Sequence, residues 1–405
     1  MLDAIIVGGG ISGLRCAIEF ARQGVSYKLC ESNDHFGGRC SSQYFDGFVL
    51  DRGFQVLLDS YTEVTSLIEL DSLNFKTFMS GAMVHTSRGN RFLLDPSKDK
   101  RKLWAFWKML TSDIGTFRDK WRLFRLKMQK GLERTQRTES ASVADYLAGS
   151  FTSRFNSEFM SPFWESVFLA DLQSVPATHF FELFPFFASG SGGLPENGMQ
   201  AIPDSMVDLL DKNQLVLNKA AKQITENAVE FEDGELIAAK NVVLAVPYSK
   251  AQDLLAADDK NHHGRKASCI YYEAPEPPFE LPILFLTGCD QKFVRTVSIP
   301  TNLHAGYSSN GNALICVGLA PGLDANQAEI RAETKNVLRE LFSAVVDDWQ
   351  VITHMQIPDA LPPIDCKPLF PPDSISLCGD YLSVPSINNA LGSGRATALR
   401  VIETL

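Results

Sequence analysis

The sequence predicts a two-domain α/β fold in which a Rossmann-like domain is assembled from separated segments of the chain. A glycine-rich turn, Gly8–Gly13, follows the apolar run Ala4–Val7 and opens a helical pattern. Strand-like runs return at 213–250 and at 375–378, whereas helical spacing dominates residues 100–190. We therefore expect both chain ends and the middle to build the first domain, with insertions that form an α+β second domain.

The composition is that of a globular protein and limits the classes of function. The chain has 405 residues, of which 45% are hydrophobic and 21% charged, with a net charge of −10 that argues against nucleic-acid binding. Its eight cysteines include no CxxC pair, so we expect reduced thiols and no metal site. Neither a basic leader nor an apolar run of about 18 residues occurs, so we expect a cytoplasmic protein without a transmembrane helix.

The glycine-rich turn has the spacing of a dinucleotide-binding fingerprint. Gly8 permits the tight turn, Gly10 lets the backbone approach a pyrophosphate, and Gly13 permits close packing of helix on strand. The N-terminus of the following helix supplies N–H groups for the phosphates. The second strand, 26–30, ends at Glu31, whose carboxylate is placed to hold a ribose hydroxyl.

Further motifs extend this pattern toward a flavin. The paired glycines Gly37 and Gly38, followed by Arg39, resemble the FAD-dependent superfamily of amine oxidases, protoporphyrinogen oxidases and phytoene desaturases. Segment 51–55 is similar to the DxG stretch that runs beside the isoalloxazine ring in that superfamily. Segment 193–200 resembles its glycine-methionine motif.

The C-terminal region carries the superfamily's last FAD signature. Segments 377–380 and 386–395 resemble it, which implies that Asp380 bonds the ribityl or phosphate region and that the helix starting near Ile387 faces the flavin. Asn389 stands where close relatives have glycine. The resemblance implies noncovalently bound FAD and these contacts: Gly8, Gly10, Ile11, Ser12, Gly13, Glu31, Ser32, Gly37, Gly38, Arg39, Gly53, Phe54, Gln55, Ala221, Pro247, Gly379, Asp380, Ser386, Ile387, Asn388 and Ala390.

The resemblance also implies domain boundaries. The FAD-binding domain would combine residues 1–75, 195–255 and 365–405. The substrate domain, a helical cap plus a sheet, would combine residues 76–194 and 256–364.

The implied reaction is transfer of a hydride from a substrate C–H bond to flavin N5, with dioxygen or a membrane quinone as the acceptor. Ten of the 27 Phe lie in 151–187, which favours a hydrophobic substrate: an isoprenoid, a carotenoid-like molecule, a porphyrinogen or an amine. No nucleophilic triad is found, and only Lys367 and Tyr272 are weak catalytic candidates. Two alternatives stay open: a reduced-flavin-dependent isomerase, and a non-catalytic flavoprotein that binds a partner or a membrane.

A basic, Trp-rich segment interrupts the acidic chain. Residues 98–137 hold 13 Lys/Arg and four Asp/Glu, a local charge of +9 that leaves −19 elsewhere. Apolar residues recur in steps of three and four, which predicts an amphipathic helix with a bend at Gly115: Leu103, Trp107, Leu110, Ile114, Phe117, Trp121, Phe124 and Met128. The stripe either packs on the substrate domain, docks an acidic protein, or lies on an anionic membrane through 100–130, which would make the protein peripheral to the membrane.

Overall fold

The computed structural model describes residues 1–98, 102–129, 141–256, 263–342 and 346–405. Within them the strands are β1 Leu2–Val7, β2 Tyr27–Cys30, β3 Ser42–Phe45, β4 Phe48–Asp51, β5 Leu57–Leu58, β6 Lys76–Thr77, β7 Gly81–Thr86, β8 Gly89–Leu94, β9 Gly192–Leu194, β10 Leu215–Val216, β11 Ala221–Thr225, β12 Ala228–Phe231, β13 Leu236–Leu244, β14 Arg265–Ala274, β15 Leu284–Thr287, β16 Val294–Ser298, β17 Ala313–Leu319, β18 Gln350–Leu361 and β19 Ile375–Leu377. The helices are α1 Ile11–Arg22, α2 Thr62–Thr65, α3 Lys102–Thr111, α4 Phe117–Met128, α5 Val143–Ser150, α6 Ser153–Phe155, α7 Ser161–Phe168, α8 Ala177–Ser189, α9 Ala201–Val207, α10 Tyr248–Leu254, α11 Gln327–Phe342 and α12 Ile387–Glu403.

The first sheet is the parallel sheet that the glycine-rich turn predicts. Its strands lie in the order β10-β2-β1-β13, with β19 parallel to β13 and the hairpin β11–β12 antiparallel to it. These strands come from both ends and the middle of the chain. Because β1 is flanked by β2 and β13, the turn after it lies where parallel strands end and ligands usually bind.

One strand differs from the sequence prediction. The alternation in 235–246 predicts two short strands, whereas the structure has the single strand β13. Its first half pairs with β12 and its second half with β1 and β19, so one strand joins the hairpin to the parallel core. A change of partner within a strand leaves no signature in hydrophobic alternation.

The second sheet is mostly antiparallel. Its order is β18-β14-β17-β16-β15-β7-β8, and only the β15–β7 pair is parallel within the described residues. One face of this sheet packs on the first domain through Tyr271, and the other carries α11. A Rossmann-like domain and an α+β domain are therefore present, and the predicted fold class is confirmed.

The Phe-rich segment forms a helical layer with an aromatic core. Phe151, Phe155, Phe159 and Phe163 stand in a ladder with ring centroids 5.4, 5.6 and 5.8 Å apart. Because proline usually breaks a helix, Pro162 predicts the end of this helical run, and that prediction is wrong. A π-helical turn over 156–160 joins α6 to α7, and Pro162 occupies the first turn of α7, where its missing N–H costs nothing.

The basic segment forms two helices instead of one. Gly115 adopts a φ of +66°, which separates α3 from α4, and Ile114 beside it is fully buried. Residues 99–101 and 130–137 of the predicted segment lie outside the described residues, and the side chain of Leu110 is not described. Among the helices that are described, none is long and apolar enough to cross a bilayer.

Candidate functional site

The glycines of the glycine-rich turn differ in the space that surrounds them. A Cβ at Gly8 would lie 2.5 Å from the Ala245 carbonyl oxygen, and a Cβ at Gly13 would lie 2.0 Å from the Gly8 carbonyl oxygen. A Cβ at Gly10 would meet nothing within 4 Å. The turn therefore needs Gly8 and Gly13 for its own packing, whereas Gly10 faces free space.

The N-terminus of α1 borders the same space. Among the described residues, the N–H groups of Ser12 and Gly13 donate to no protein acceptor, and Gly10 caps the helix without a side-chain bond. Free N–H groups and the positive end of the helix dipole form an anion site.

Glu31 closes the neighbouring side of the turn. One of its carboxylate oxygens accepts from the Gly9 N–H at 2.6 Å, and the other accepts from Ser32 Oγ at 3.0 Å and from the Asn33 N–H at 2.9 Å. The carboxylate is 5% exposed and lies directly after β2. It therefore stands at the carboxyl end of the strand beside the turn, where the sequence places the ribose contact.

The side chain of Asp51 is hydrogen-bonded to three separate parts of the chain. Its carboxylate accepts from the Met199 N–H at 2.8 Å, from Ser42 Oγ at 2.5 Å and from the Tyr307 hydroxyl at 3.0 Å. Burial raises the pKa of this carboxyl, and the three donors act against that rise. Asp51 thus fixes the segment 51–55 against the glycine-methionine segment, and it has a positioning role.

Two glutamine side chains complete the connection between these segments. Gln200 Nε2 donates to the Phe36 carbonyl at 2.9 Å, and Gln55 Nε2 donates to the Arg39 carbonyl at 2.8 Å. Both bonds hold the backbone around Gly37 and Gly38, which lies beside Gly10. Four motifs that are distant in sequence therefore meet at one place.

Arg39 and Asp380 form a bidentate ion pair. Arg39 Nη1 and Nη2 lie 2.9 and 2.7 Å from the two carboxylate oxygens, although the residues are 341 positions apart. Burial disfavours the charged guanidinium, but Asp380 outweighs it and raises the pKa of Arg39. The pair lines a small surface cleft together with Pro247, Tyr248, Ser249, Gly264, Asp359, Leu361, Pro362 and Pro363.

Arg265 is a cation beside this cleft that the sequence analysis did not single out. Its Nε donates to the Pro362 carbonyl at 2.6 Å, and Nη1 donates to the Phe168 carbonyl. Nη2 is buried and has no hydrogen-bond partner. Burial lowers its pKa to about 10, against the attraction of Asp380. Arg39 and Arg265 together balance the charges of Asp380 and Asp359 at the cleft, and the Nη2 group of Arg265 is left as a buried donor without a partner.

The first turn of α12 contacts the helical layer of the second domain. Asn389 Nδ2 donates to Glu182 Oε1 on α8 at 2.7 Å and to the Val384 carbonyl at 2.8 Å. The Asn388 side chain instead accepts from the Glu63 N–H at 2.9 Å. Asn389, which stands where close relatives have glycine, therefore joins α12 to the Phe-rich segment. This contact spans 207 positions, so local sequence cannot reveal it.

The two weak catalytic candidates lie in different places: Tyr272 is inside the core of the second domain, and the Lys367 backbone bonds the hydroxyl of Tyr248 at the cleft. Tyr272 is fully buried on the face of β14 that packs toward Trp349, and its hydroxyl has no hydrogen-bond partner. Its neighbour Tyr271 points to the other face and donates to the Asp51 carbonyl at 2.9 Å. The Lys367 side chain is exposed. Neither candidate is proposed further as a catalytic residue.

The remaining residues that the sequence predicts to contact FAD lie in several parts of the structure. Phe54 packs at the boundary with the second sheet, and the buried Ala221 begins β11. Gly53 has a φ of +91° and lies under Tyr271, which also reaches its carbonyl. Gly379 donates its N–H to Ser393 Oγ, and Ser386 caps α12 by accepting from the Asn389 N–H. Ala390, also predicted, is buried in the same first turn.

These observations fit FAD. The open face of Gly10 and the free N–H groups of α1 suit a pyrophosphate, and the carboxylate of Glu31 suits a ribose. The unpartnered nitrogen of Arg265 suits a further polar group of the same ligand. Gly8, Gly10, Glu31, Arg39 and Asp380 are the residues that would hold it.

Comparisons with known proteins agree with this geometry. The family model described as flavin containing amine oxidoreductase matches residues 11–402. A phytoene desaturase from Cercospora nicotianae is 30% identical over 97 residues, which are 22% of this chain and only 16% of that enzyme.

Solved structures resemble the whole chain. A redesigned putrescine oxidase matches with a TM-score of 0.74 at 16% identity, covering 100% of this chain and 99% of its own. A reduced UDP-galactopyranose mutase matches with a TM-score of 0.71 at 14% identity, covering 100% and 96%. At these identities the likeness establishes the fold alone. The family match over nearly the whole sequence goes further: this chain belongs to the flavin-containing amine oxidoreductases and is an FAD-dependent oxidoreductase.

Proposed function

We propose that this enzyme holds FAD noncovalently and oxidises a C–H bond of a hydrophobic substrate. The observation that carries this proposal is the Asn389–Glu182 hydrogen bond, which joins the first turn of α12 to the aromatic layer. Phe186 and Phe187 on the same α8 pack against the cores of both domains. A substrate that reaches this junction meets mostly aromatic side chains, with Glu182 as a polar group.

Aromatic surroundings select the substrate class through desolvation. Bringing a charged amine beside Phe186 and Phe187 would remove its hydration, and Glu182 already has Asn389 as a partner. An isoprenoid or carotenoid-like hydrocarbon meets no such cost, whereas a porphyrinogen would have to keep its propionate carboxylates outside the aromatic layer. The resemblance to a phytoene desaturase, an enzyme named for a hydrocarbon substrate, supports the same choice.

The proposed roles of FAD and of the chain are separate. Bound FAD would accept the hydride at N5, and dioxygen or a quinone would take the electrons afterwards. The chain would bind and orient: Arg265 offers an unpartnered N–H donor, the N-terminus of α12 favours negative charge, and the Phe side chains exclude water.

Noncovalent attachment of FAD is favoured by the protonation state of the Cys366 thiol, which precedes the C-terminal FAD motif in the chain. Cys366 donates from Sγ to the Pro363 carbonyl at 3.3 Å. Burial raises its pKa to about 11, against the attraction of Arg265. The thiol is therefore protonated at neutral pH and is a poor nucleophile toward a flavin.

Anaerobic mixing of the FAD-loaded enzyme with fractionated lipid extracts tests this function. We expect one fraction to bleach the oxidised flavin absorbance stoichiometrically, because without an acceptor the electrons stay on the flavin. Bleaching by small amines but by no lipid fraction would contradict the hydrophobic substrate.

A second candidate, a reduced-flavin-dependent isomerase, is favoured by the likeness to a reduced UDP-galactopyranose mutase. It predicts turnover only after chemical pre-reduction and no bleaching by substrate. A flavin that no extract reduces and no pre-reduction activates would instead indicate a non-catalytic flavoprotein.

A further inference from the structure

The apolar stripe of α3 and α4 faces away from the protein. Its described members other than Ile114, together with Phe106, are between 44% and 79% exposed: Leu103, Phe106, Trp107, Phe117, Trp121, Phe124 and Met128. On α4 the inward face carries Asp119 and Leu126, which are 2% and 3% exposed. Of the three alternatives for this stripe, packing on the substrate domain is therefore wrong.

Hydrogen bonds and packing fix helices α3 and α4 to each other and to the aromatic layer. Lys120 Nζ donates to the Met109 carbonyl at 2.8 Å and to the Ser112 carbonyl at 2.6 Å, so α4 caps the end of α3. Asp119 accepts from the N–H and hydroxyl of Thr152, each at 2.8 Å, which ties α4 to the aromatic layer. Ile114 and Gly115 pack against Phe155 between the helices. Seven large apolar side chains of α3 and α4 therefore point outward from helices that hydrogen bonds and packing fix in place.

Cations flank the exposed stripe. Arg118 and Arg125 lie on the exposed face of α4, and the Arg125 guanidinium is 5.8 Å from the Trp121 ring centroid. Lys127 pairs with Asp95 at 2.6 Å, so it contributes less free charge. Aromatic and aliphatic side chains bordered by arginines match the interfacial zone of a bilayer with anionic headgroups.

We propose that this surface, defined as the exposed face of α3 and α4, docks the enzyme to an anionic phospholipid bilayer. The positive charge of this surface favours an anionic bilayer over a second copy of the chain as its binding partner. A two-fold dimer through the same surface would bring two basic faces together, and like charges oppose such pairing. The docking proposal does not depend on the proposed redox activity, since vesicle binding is measured without turnover.

Cosedimentation of the FAD-loaded enzyme with vesicles tests the proposal. We use vesicles of about three parts phosphatidylcholine to one part phosphatidylglycerol, and pure phosphatidylcholine for comparison. We expect binding to the anionic vesicles at low salt, weaker binding at high salt, and a blue shift of Trp fluorescence from Trp107 and Trp121. Absence of binding at low salt would overturn the proposal.

Paired substitutions identify the surface. Trp121→Glu with Phe124→Glu should lower the bound-to-free ratio at least about tenfold, because both side chains lose their burial in the interface. Tyr44→Glu with Phe370→Glu is the matched control, since these aromatics are also exposed but lie elsewhere. All variants should keep the flavin spectrum of the wild type. Equal binding by the Trp121/Phe124 variant would overturn the proposal.

Charge reversal and self-association complete the test. Arg118→Glu with Arg125→Glu should weaken binding about tenfold at low salt, whereas the exposed control Lys212→Glu with Lys250→Glu should not. A dimer that forms without vesicles and is lost in the Trp121/Phe124 variant, with no vesicle binding, would assign the surface to self-association and overturn the proposal.

Discussion

Individual glycines in the nucleotide turn have different tasks. Gly8 has a φ of +107° and packs against Ala245, and Gly13 lies under the Gly8 carbonyl, so both serve the protein itself. Gly10 has an ordinary φ of −68°, and the protein leaves the space around it free. A side chain at Gly10 should therefore disturb a ligand and leave the fold intact.

Gly10→Val tests this separation. We expect a folded protein that no longer retains FAD, because the new side chain occupies the pyrophosphate position, and that has the thermal stability of the wild-type protein stripped of FAD. The matched control is Gly149→Val in α5, where a Cβ also meets nothing within 4 Å. FAD titration and circular dichroism distinguish the two, and a Gly10→Val protein that is fully loaded with FAD would contradict the placement.

Residues with local signals are predictable from the sequence, and residues with only distant partners are not. Gly8, Gly10 and Glu31 follow from one strand–turn–helix unit, where spacing determines the geometry. Arg265 meets Pro362 across 97 positions, and Glu182 meets Asn389 across 207. No local pattern indicates that these pairs meet, because tertiary packing alone brings them together.

Helix α4 illustrates what periodicity predicts about an element. Steps of three and four correctly indicate helix over 117–128, and they define one apolar face. They do not say whether that face turns inward. The capping box Thr116–Asp119 and its extension to Thr152 fix the side of α4 that carries Asp119 and Leu126 toward the protein, which leaves the aromatic side exposed.

Removing Asp119 should loosen this helix. Burial by itself would raise its pKa, but hydrogen bonds from Thr116 and Thr152 outweigh burial and lower the pKa of the carboxyl. A lowered pKa stabilises the fold above the unfolded-state value of about 3.9, and this stabilisation is lost as pH falls through the folded-state pKa. We expect Asp119→Ala to lower the free energy of unfolding by about 2–4 kcal/mol at neutral pH.

Urea denaturation at neutral and acidic pH measures this effect. The difference between wild type and Asp119→Ala should shrink as the pH falls below about 4. Asp145→Ala is the control, since Asp145 caps α5 in the same way but is exposed and should cost about 1 kcal/mol. A constant difference at every pH would contradict the role of the Asp119 charge.

At the scale of the whole molecule, distant segments build one site. The parallel sheet takes strands from 2–7, 215–216 and 375–377, and the Arg39–Asp380 pair connects regions near the two ends of the chain. Order and spacing of the motifs made this assembly predictable. The exact domain boundaries, 1–75, 195–255 and 365–405 against 76–194 and 256–364, stay a prediction, because β13 and α8 each contact more than one layer.

The most direct test of this account is the flavin content of the purified enzyme before and after denaturation. The account predicts that the native chain retains FAD in a one-to-one ratio through gel filtration. It also predicts that acid denaturation releases all of that flavin, since Cys366 is protonated and no bond attaches it. A native protein that retains no FAD, or a denatured chain that keeps its flavin, would contradict the account.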